Sequence, residues 1–225
     1  MDKILFFFSL LVTLVFPIQA FPQVEGNKYQ WKKILDKEDV QVFSSRVQDS
    51  KFRAIRAQMI VKGDVKSFVA LLEDRENCSS WASMCKEFSL LEKIDRDEYF
   101  VYVLNAAIFP IARRDLVAKI TWFKDLETGR LTMDGQTVKD FQNMPKKKGI
   151  VRINDARIQW HFTSKSDGYV LVESYVHIDP NGNIPSWIVN YMSRTTPFRQ
   201  MKKVRKIVQS GKYTNATVNL PEKYL

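Results

Sequence analysis

From Tyr169 to Ile178 apolar and polar residues alternate, Asp179-Pro180-Asn181-Gly182 then makes a tight turn, and Ile184-Pro185 opens a long run with helical spacing. This order restricts the architecture more than any other feature of the chain. A strand with one apolar face must join a sheet and have that face covered by a second layer. Proline suits the first helical turn, where its missing N–H would have no partner. The helix therefore begins at Pro185, directly after the strand. Its apolar positions are Ile188, Tyr191 or Met192, Thr195, Phe198, Met201, Val204 or Arg205, and Val208, with Arg194, Arg199, Lys202, Lys203 and Lys206 on the other sides. Pro197 falls inside the pattern and is expected to kink or break it.

Upstream, five further runs read as strands: 87–94, 98–106, 113–123, 130–138 and 150–162, separated by turn sequences such as Asp95-Arg96-Asp97 and Ser166-Asp167-Gly168. Two more strands, 40–47 and 52–61, precede a helix that Asp64 caps and that Val65, Phe68, Val69, Leu71 and Leu72 make amphipathic. Tyr29, Trp31, Ile34 and Leu35 cluster at helical spacing, which predicts a short first helix within 21–37. Hairpins in series followed by one terminal helix give an α+β fold with the helices on one side of the sheet.

The chain has 225 residues, with no repeat and no Gly/Pro/Ser-rich linker, so a single domain over 21–210 with an irregular tail, 211–225, is expected. Hydrophobic residues make up 45% and aromatic residues 12%, which excludes disorder. Lys3 precedes a largely apolar run from Ile4 to Phe16, too short for a hydrocarbon core that needs about 20 residues. With the small residue Ala20 after it, segment 1–20 reads as a signal peptide, and the protein as exported: periplasmic in a Gram-negative bacterium, otherwise secreted. The net charge of +10 suits anionic surfaces. Export argues against nucleic acid and leaves a membrane surface as the partner. Cys78 and Cys85 are the only cysteines. On a continuous helix they would sit ~10 Å apart, beyond disulfide reach. The pair is therefore either bonded across an irregular segment or two buried thiols.

Four stretches, in order, resemble StAR-related lipid-transfer (START) domains. They are Trp31 with Asp39-Val40-Gln41-Val42-Phe43; Trp81 after Glu73-Asp74-Arg75; Phe109-Pro110-Ile111-Ala112-Arg113-Arg114-Asp115-Leu116-Val117; and Asp179 to Asn190. Pro145 with Gly149-Ile150-Val151-Arg152 is similar to a segment of cholesterol-binding members. The resemblance implies a helix-grip fold, in which a curved antiparallel sheet wraps a long C-terminal helix around an internal hydrophobic tunnel. It implies binding and transfer of one hydrophobic ligand: a phospholipid, a sterol-like lipid or a fatty acid. It also implies a gate formed by Ala107 to Ala112 with the first turns of the last helix; separately, a monomer with no cofactor and no metal is expected.

Strand parity supplies the candidate lining. Leu116, Ala118, Ile120 and Trp122 share one face, with Arg114 on the same side; Val172, Ser174 and Val176 share another. Both faces of 98–106 are apolar, so parity leaves that orientation open; the candidate lining takes the face of Val101, Val103 and Asn105. Trp187, Ile188, Tyr191, Met192 and Thr195 of the helix complete it. An arginine removed from water needs a carboxylate, a phosphate or several carbonyls. Arg114 is thus a headgroup ligand, one half of a salt bridge, or solvent-reaching. Arg199, Lys202, Lys203 and Lys206, with Lys146, Lys147 and Lys148, are candidates for membrane contact. His161 and His177 fall on outer faces, as do Glu173 and Tyr175, and no nucleophile, phosphate-loop or metal motif occurs. The chain is read as a carrier, not an enzyme. The alternative is a helix-grip aromatase/cyclase acting on a polyketide-type substrate, with Arg114, Asn105, Tyr102 or Glu173 as its only acid–base groups.

Overall fold

A computed structural model describes residues 29–107, 111–182 and 184–224. The N-terminal run read as a signal lies outside them, as do Phe109, Pro110 and Asn183. The alternating runs become strands β1 (Lys32–Lys37), β2 (Val40–Ser45), β3 (Ala54–Lys62), β4 (Cys85–Lys93), β5 (Glu98–Asn105), β6 (Arg113–Lys124), β7 (Leu131–Thr137), β8 (Ile150–Arg152), β9 (Asp155–Ser164) and β10 (Tyr169–Asp179). They form one sheet in the order β1-β2-β3-β10-β9-β7-β6-β5-β4, with β8 beside β6. Every pairing is antiparallel except the short parallel contact of β8 with β6. Strand β10 joins the N-terminal strands to the rest, pairing with β3 through Val172–Met59 and Val176–Ile55 and with β9 through Val172–Phe162.

Two expectations fail for identifiable reasons. Segment 32–37 is an edge strand, not a helix. A bulge between Lys33 and Leu35 leaves Ile34 without a partner in β2, so the apolar residues lose strict alternation and mimic helical spacing. The run 150–162 is two strands. Ile150–Arg152 adds to the start of β6, with Arg114 opposite Val151, before the chain turns at Ile153-Asn154 into β9.

Helix α1 (Val65–Glu73) starts where expected: the Asp64 carboxylate accepts the Ser67 N–H at 2.8 Å and the Ser67 hydroxyl at 2.7 Å. A one-turn helix, α2 (Cys78–Trp81), ends in extended backbone at Ala82. That break brings Cys78 and Cys85 to a Cα separation of 5.9 Å, and they form a disulfide. Helix α3 (Ser186–Gln209) runs 24 residues without interruption through Pro197. Proline inside a helix costs about 3 kcal/mol. Burial on both sides of it, at Ile188 and at Met201, Val204 and Val208, offsets that cost.

No α-helix or strand follows Gln209 in the described residues. The tail nevertheless packs: Tyr213, Val218 and Leu220 are buried, and the Tyr213 hydroxyl donates to Asp74 at 2.6 Å. Beneath the second half of α3 the interior is filled by Val40, Met59, Phe68, Leu71, Phe162, Val170, Val172 and Leu220. Contact is so close there that a Cβ on Gly63, ahead of α1, would approach Val208 Cγ1 of α3 to 2.8 Å.

Candidate ligand cavity

Beneath the first half of α3 the interior is hollow, with a cavity of about 390 Å³. Its size falls in the range of roughly 300–1,000 Å³ usual for small-molecule sites. The curved sheet supplies walls of alternate residues: Val101, Val103 and Asn105 from β5; Arg114, Leu116, Ala118 and Ile120 from β6; Met133, Gly135 and Thr137 from β7; Ala156, Ile158 and Trp160 from β9; Ser174, Val176 and Ile178 from β10. Trp81, Met84 and the disulfide close one side, and Val189, Met192, Ser193, Thr196, Pro197 and Gln200 form the roof. Small side chains at Ala118, Gly135 and Ala156 keep the space open. A Cβ at Gly135 would already reach within 3.0 Å of Ile120 Cδ1.

Of the residues singled out from the sequence, Val101, Val103, Asn105, Arg114, Leu116, Ala118, Ile120, Ser174, Val176 and Met192 line this cavity. Six do not. Trp122 and Val172 carry the inward stripes of their strands past the cavity floor into the filled core. There the Trp122 indole N–H donates to Glu73 Oε1 at 3.0 Å, beside the Tyr99 hydroxyl that bonds the same oxygen. Trp187 and Tyr191 are 69% and 59% exposed and border a second hollow outside the cavity. Ile188 and Thr195 border the same hollow, smaller than the cavity and lying between α3 and Ser83-Met84. The helix is rotated relative to the apolar pattern: Ser193, Thr196 and Gln200, polar and so passed over, face the cavity instead. The other residues missed, among them Trp160, Ala156 and Met133, share one signal. Each stands opposite a buried or half-buried residue in the ladder: Trp160 opposite Ser174, Met133 opposite Trp160, and Ala156 opposite Ile178.

Arg114 is the polar landmark. Its guanidinium donates from Nε to Pro180 O at 2.8 Å, from Nη1 to Ala112 O at 2.8 Å and from Nη2 to Asn181 O at 3.1 Å. It has no ion-pair partner among the described residues, so the salt bridge considered from sequence is absent there; of the carboxylate, phosphate or carbonyls that a buried arginine needs, the protein supplies the carbonyls. Burial lowers its pKa, yet a guanidinium stays charged in a protein. The ion pair lies next door, on the opposite face of β6. Arg152 donates to both carboxylate oxygens of Asp115, at 2.7 and 3.1 Å, and the Tyr102 hydroxyl donates to the same group at 3.2 Å. The hydrogen bond to Asp115 raises the Arg152 pKa. Lys147 lies 4.4 Å from the centre of the Tyr102 ring, so one of the lysines proposed for membrane contact is held against the domain.

The outer face of the sheet also buries polar groups. His161 and Glu173 point outward, as parity predicts, yet they are only 1% and 7% exposed. Thr132 Oγ1 lies 2.9 Å from His161 Nδ1, and the Tyr175 ring packs edge-on against the imidazole at 5.0 Å. Burial, then the charges of Arg130 and Arg157, push the His161 pKa down to about 3.

The cavity wall holds no carboxylate, no imidazole and no free thiol among the described residues. It can exclude water and donate hydrogen bonds from Asn105 and Arg114. The model of the START domain matches residues 19–214 of the chain. An uncharacterized protein of Pseudomonas aeruginosa is 30% identical over 192 residues, covering 83% of this chain and 91% of its own length. The crystal structure of a STAR-related lipid transfer protein from Xanthomonas axonopodis superposes with a TM-score of 0.71 at 31% identity, over 80% of this chain and 98% of the other. Human StAR-related lipid transfer protein 5, at 18% identity, shares the fold with a TM-score of 0.72, over 80% of this chain and 87% of the other. The curved sheet, the roofing helix and the match along most of its length place this chain in the START domain family.

Proposed function

We propose that the chain binds one hydrophobic ligand in the cavity under α3 and carries it through water between membranes. The observation that carries this reading is the hollow itself: an apolar space left open in an otherwise filled interior. Each buried methylene contributes about 0.8 kcal/mol, so an acyl chain gains several kcal/mol with no specific contact. The related lipid transfer protein of Xanthomonas axonopodis supports the same reading.

Loading needs an opening and a surface to dock on. Ser83, Met84, Met192 and Thr196 border both the cavity and the smaller second hollow, which makes them the thinnest part of the wall. Methionine is the most adaptable apolar side chain for such a place. Trp187 and Tyr191 stand exposed beside it, as aromatic residues do at membrane interfaces. Arg199 and Lys206 are exposed further along α3, and each cation near an anionic leaflet adds about 1 kcal/mol. Lys202 is engaged with Glu38 at 2.6 Å and contributes less than expected from sequence. Membrane contact is thus assigned to the exposed side of α3, with the aromatic pair at the portal end. We further propose that the protein is exported and monomeric; the Cys78–Cys85 disulfide supports an oxidising compartment.

Native mass spectrometry of protein purified from its own host tests the carrier reading. A stoichiometric lipid that dissociates in the gas phase, together with accelerated lipid exchange between vesicles, is the expected result. Protein that is ligand-free and inert in exchange would overturn it; a modified polyketide in the cavity would replace it with the cyclase.

A further inference from the structure

We propose that the ligand is an anionic amphiphile, its carboxylate or phosphate headgroup held at the Arg114 end of the cavity. This rests on the carrier reading and names the chemistry of its cargo. The charge of the lining is one-sided: it contains Arg53 and Arg114 and no aspartate or glutamate among the described residues. Arg53 sits two residues before Ile55, which pairs with Val176 of β10. It therefore lies at the same end of the sheet as Pro180, to which Arg114 bonds. Both cations are at one end, and the rest of the lining is uncharged and mostly apolar among the described residues.

Arg114 is 9% exposed. Its three partners are carbonyl oxygens, which satisfy hydrogen bonds but leave the charge uncompensated. A guanidinium has five N–H donors, so two remain after those three bonds. Arg152, one residue beyond β8's partner to Arg114, shows the contrast, because its charge is matched by Asp115. Beside Arg114 in the ladder is Asn105, whose side chain also lines the cavity and makes no hydrogen bond among the described residues. Arg53 uses its Nε on the Ser44 hydroxyl at 3.2 Å and has no carboxylate partner among the described residues. A buried positive charge without a counter-ion is costly, and a ligand anion removes that cost while its chain fills the apolar end. A neutral headgroup, such as a sterol hydroxyl, would leave the charge standing.

The test compares ligands of one chain length on the delipidated full-length protein: dodecanoate, dodecyl phosphate and dodecanol, with inorganic phosphate as a headgroup without a chain. Binding is read by displacement of a fluorescent fatty acid analogue. The two anions are expected to bind about tenfold or more tighter than dodecanol, and inorganic phosphate not to displace the probe. Whichever anion is tighter identifies the headgroup. Arg114→Gln is expected to bring the anions to within about twofold of dodecanol, leave dodecanol unchanged, and be rescued in part by Arg114→Lys. Arg53→Gln serves as the second variant, with a smaller loss, should Arg114→Gln fold poorly. Dodecanol binding as tightly as the anions to the natural chain would overturn the anionic assignment while leaving the carrier intact. A preference for anions that survives both substitutions would also overturn the assignment of the site. Failure of every amphiphile to bind would sink the carrier reading beneath it.

Discussion

The second half of helix α3, at Met201, Val204 and Val208, packs on a filled core, whereas its first half, from Val189 to Gln200, roofs a hollow. The same sheet underlies both. Strand β10 contributes Val170 and Val172 to the filled end and Ser174, Val176 and Ile178 to the hollow. What changes along the strands is size and polarity. Phe68, Leu71, Met59 and Phe162 fill one end, while Ala118, Gly135 and Ala156 leave the other open. Unfilled space forfeits dispersion contacts with atoms that are not there. The filled end therefore carries the stability of the domain, and the hollow end spends part of it on capacity for a ligand.

The largest effect that would break this division is at Met201, fully buried at the filled end. Met201→Ala is expected to cost about 2–5 kcal/mol in urea unfolding, with ligand still bound by the molecules that remain folded. A cost below about 1 kcal/mol would mean that the two ends are packed alike.

Acid tests the outer face behind the same sheet. In the fold the pKa of His161 lies at about 3, against roughly 6.5 for the unfolded chain. Below 6.5 the unfolded chain takes up a proton that the folded imidazole refuses, so stability is level above that pH. It falls as pH drops from 6.5 toward 3, with a slope of up to about 1.4 kcal/mol per unit. Glu173 on β10, Thr132 on β7 and Arg130 ahead of it, Arg157 on β9 and the Tyr175 ring surround the imidazole. His161→Gln should flatten the decline between pH 6.5 and 4.5, whatever it does to stability at pH 8. An unchanged slope would assign acid sensitivity to carboxylates elsewhere.

The contrast between the two ends also explains what could be read without coordinates. Order and type of most strands, the Asp64 cap and the terminal helix were legible, because alternation, capping and an initial proline act locally. The α+β helix-grip architecture followed from their order together with the four family-like stretches. The cavity floor was not legible. Leu116, Ala118, Ile120 and Trp122 form one unbroken stripe, and nothing in it marks where lining ends and solid core begins; that boundary is set by Phe68 and Glu73 of α1 across the interior. The phase of α3 was hidden for the opposite reason. Its cavity side carries Ser193, Thr196 and Gln200, while Trp187 and Tyr191 are turned to solvent, so hydrophobicity pointed to the wrong face. Polar residues facing a cavity and aromatic residues facing water are the two inversions an amphiphile carrier needs, and both defeat a pattern built on buried cores. The role of Arg114 was narrowed only by seeing three carbonyls around it.

The sharpest comparison uses one substitution at two places. Ala57 on β3 and Ala118 on β6 are both buried alanines on the concave face, at 0% and 6% exposure, and only Ala118 lines the cavity. Leucine at position 57 has to displace a filled neighbourhood, which costs about 1–3 kcal/mol. Leucine at position 118 enters empty space and gains contacts, so its cost should be near zero or its effect slightly stabilising. Ligand binding should respond in the reverse order: Ala118→Leu removes volume the ligand occupies and lowers loading, while Ala57→Leu leaves loading of the folded fraction intact. Melting temperature and bound lipid per protein, measured on both variants, give the four values needed. If Ala118→Leu destabilises as much as Ala57→Leu and loading is unaffected, the space under the first half of α3 does not house the ligand. Opposite responses of melting temperature and of bound lipid tie capacity to the hollow and stability to the filled end, through a single pair of side chains of the same size.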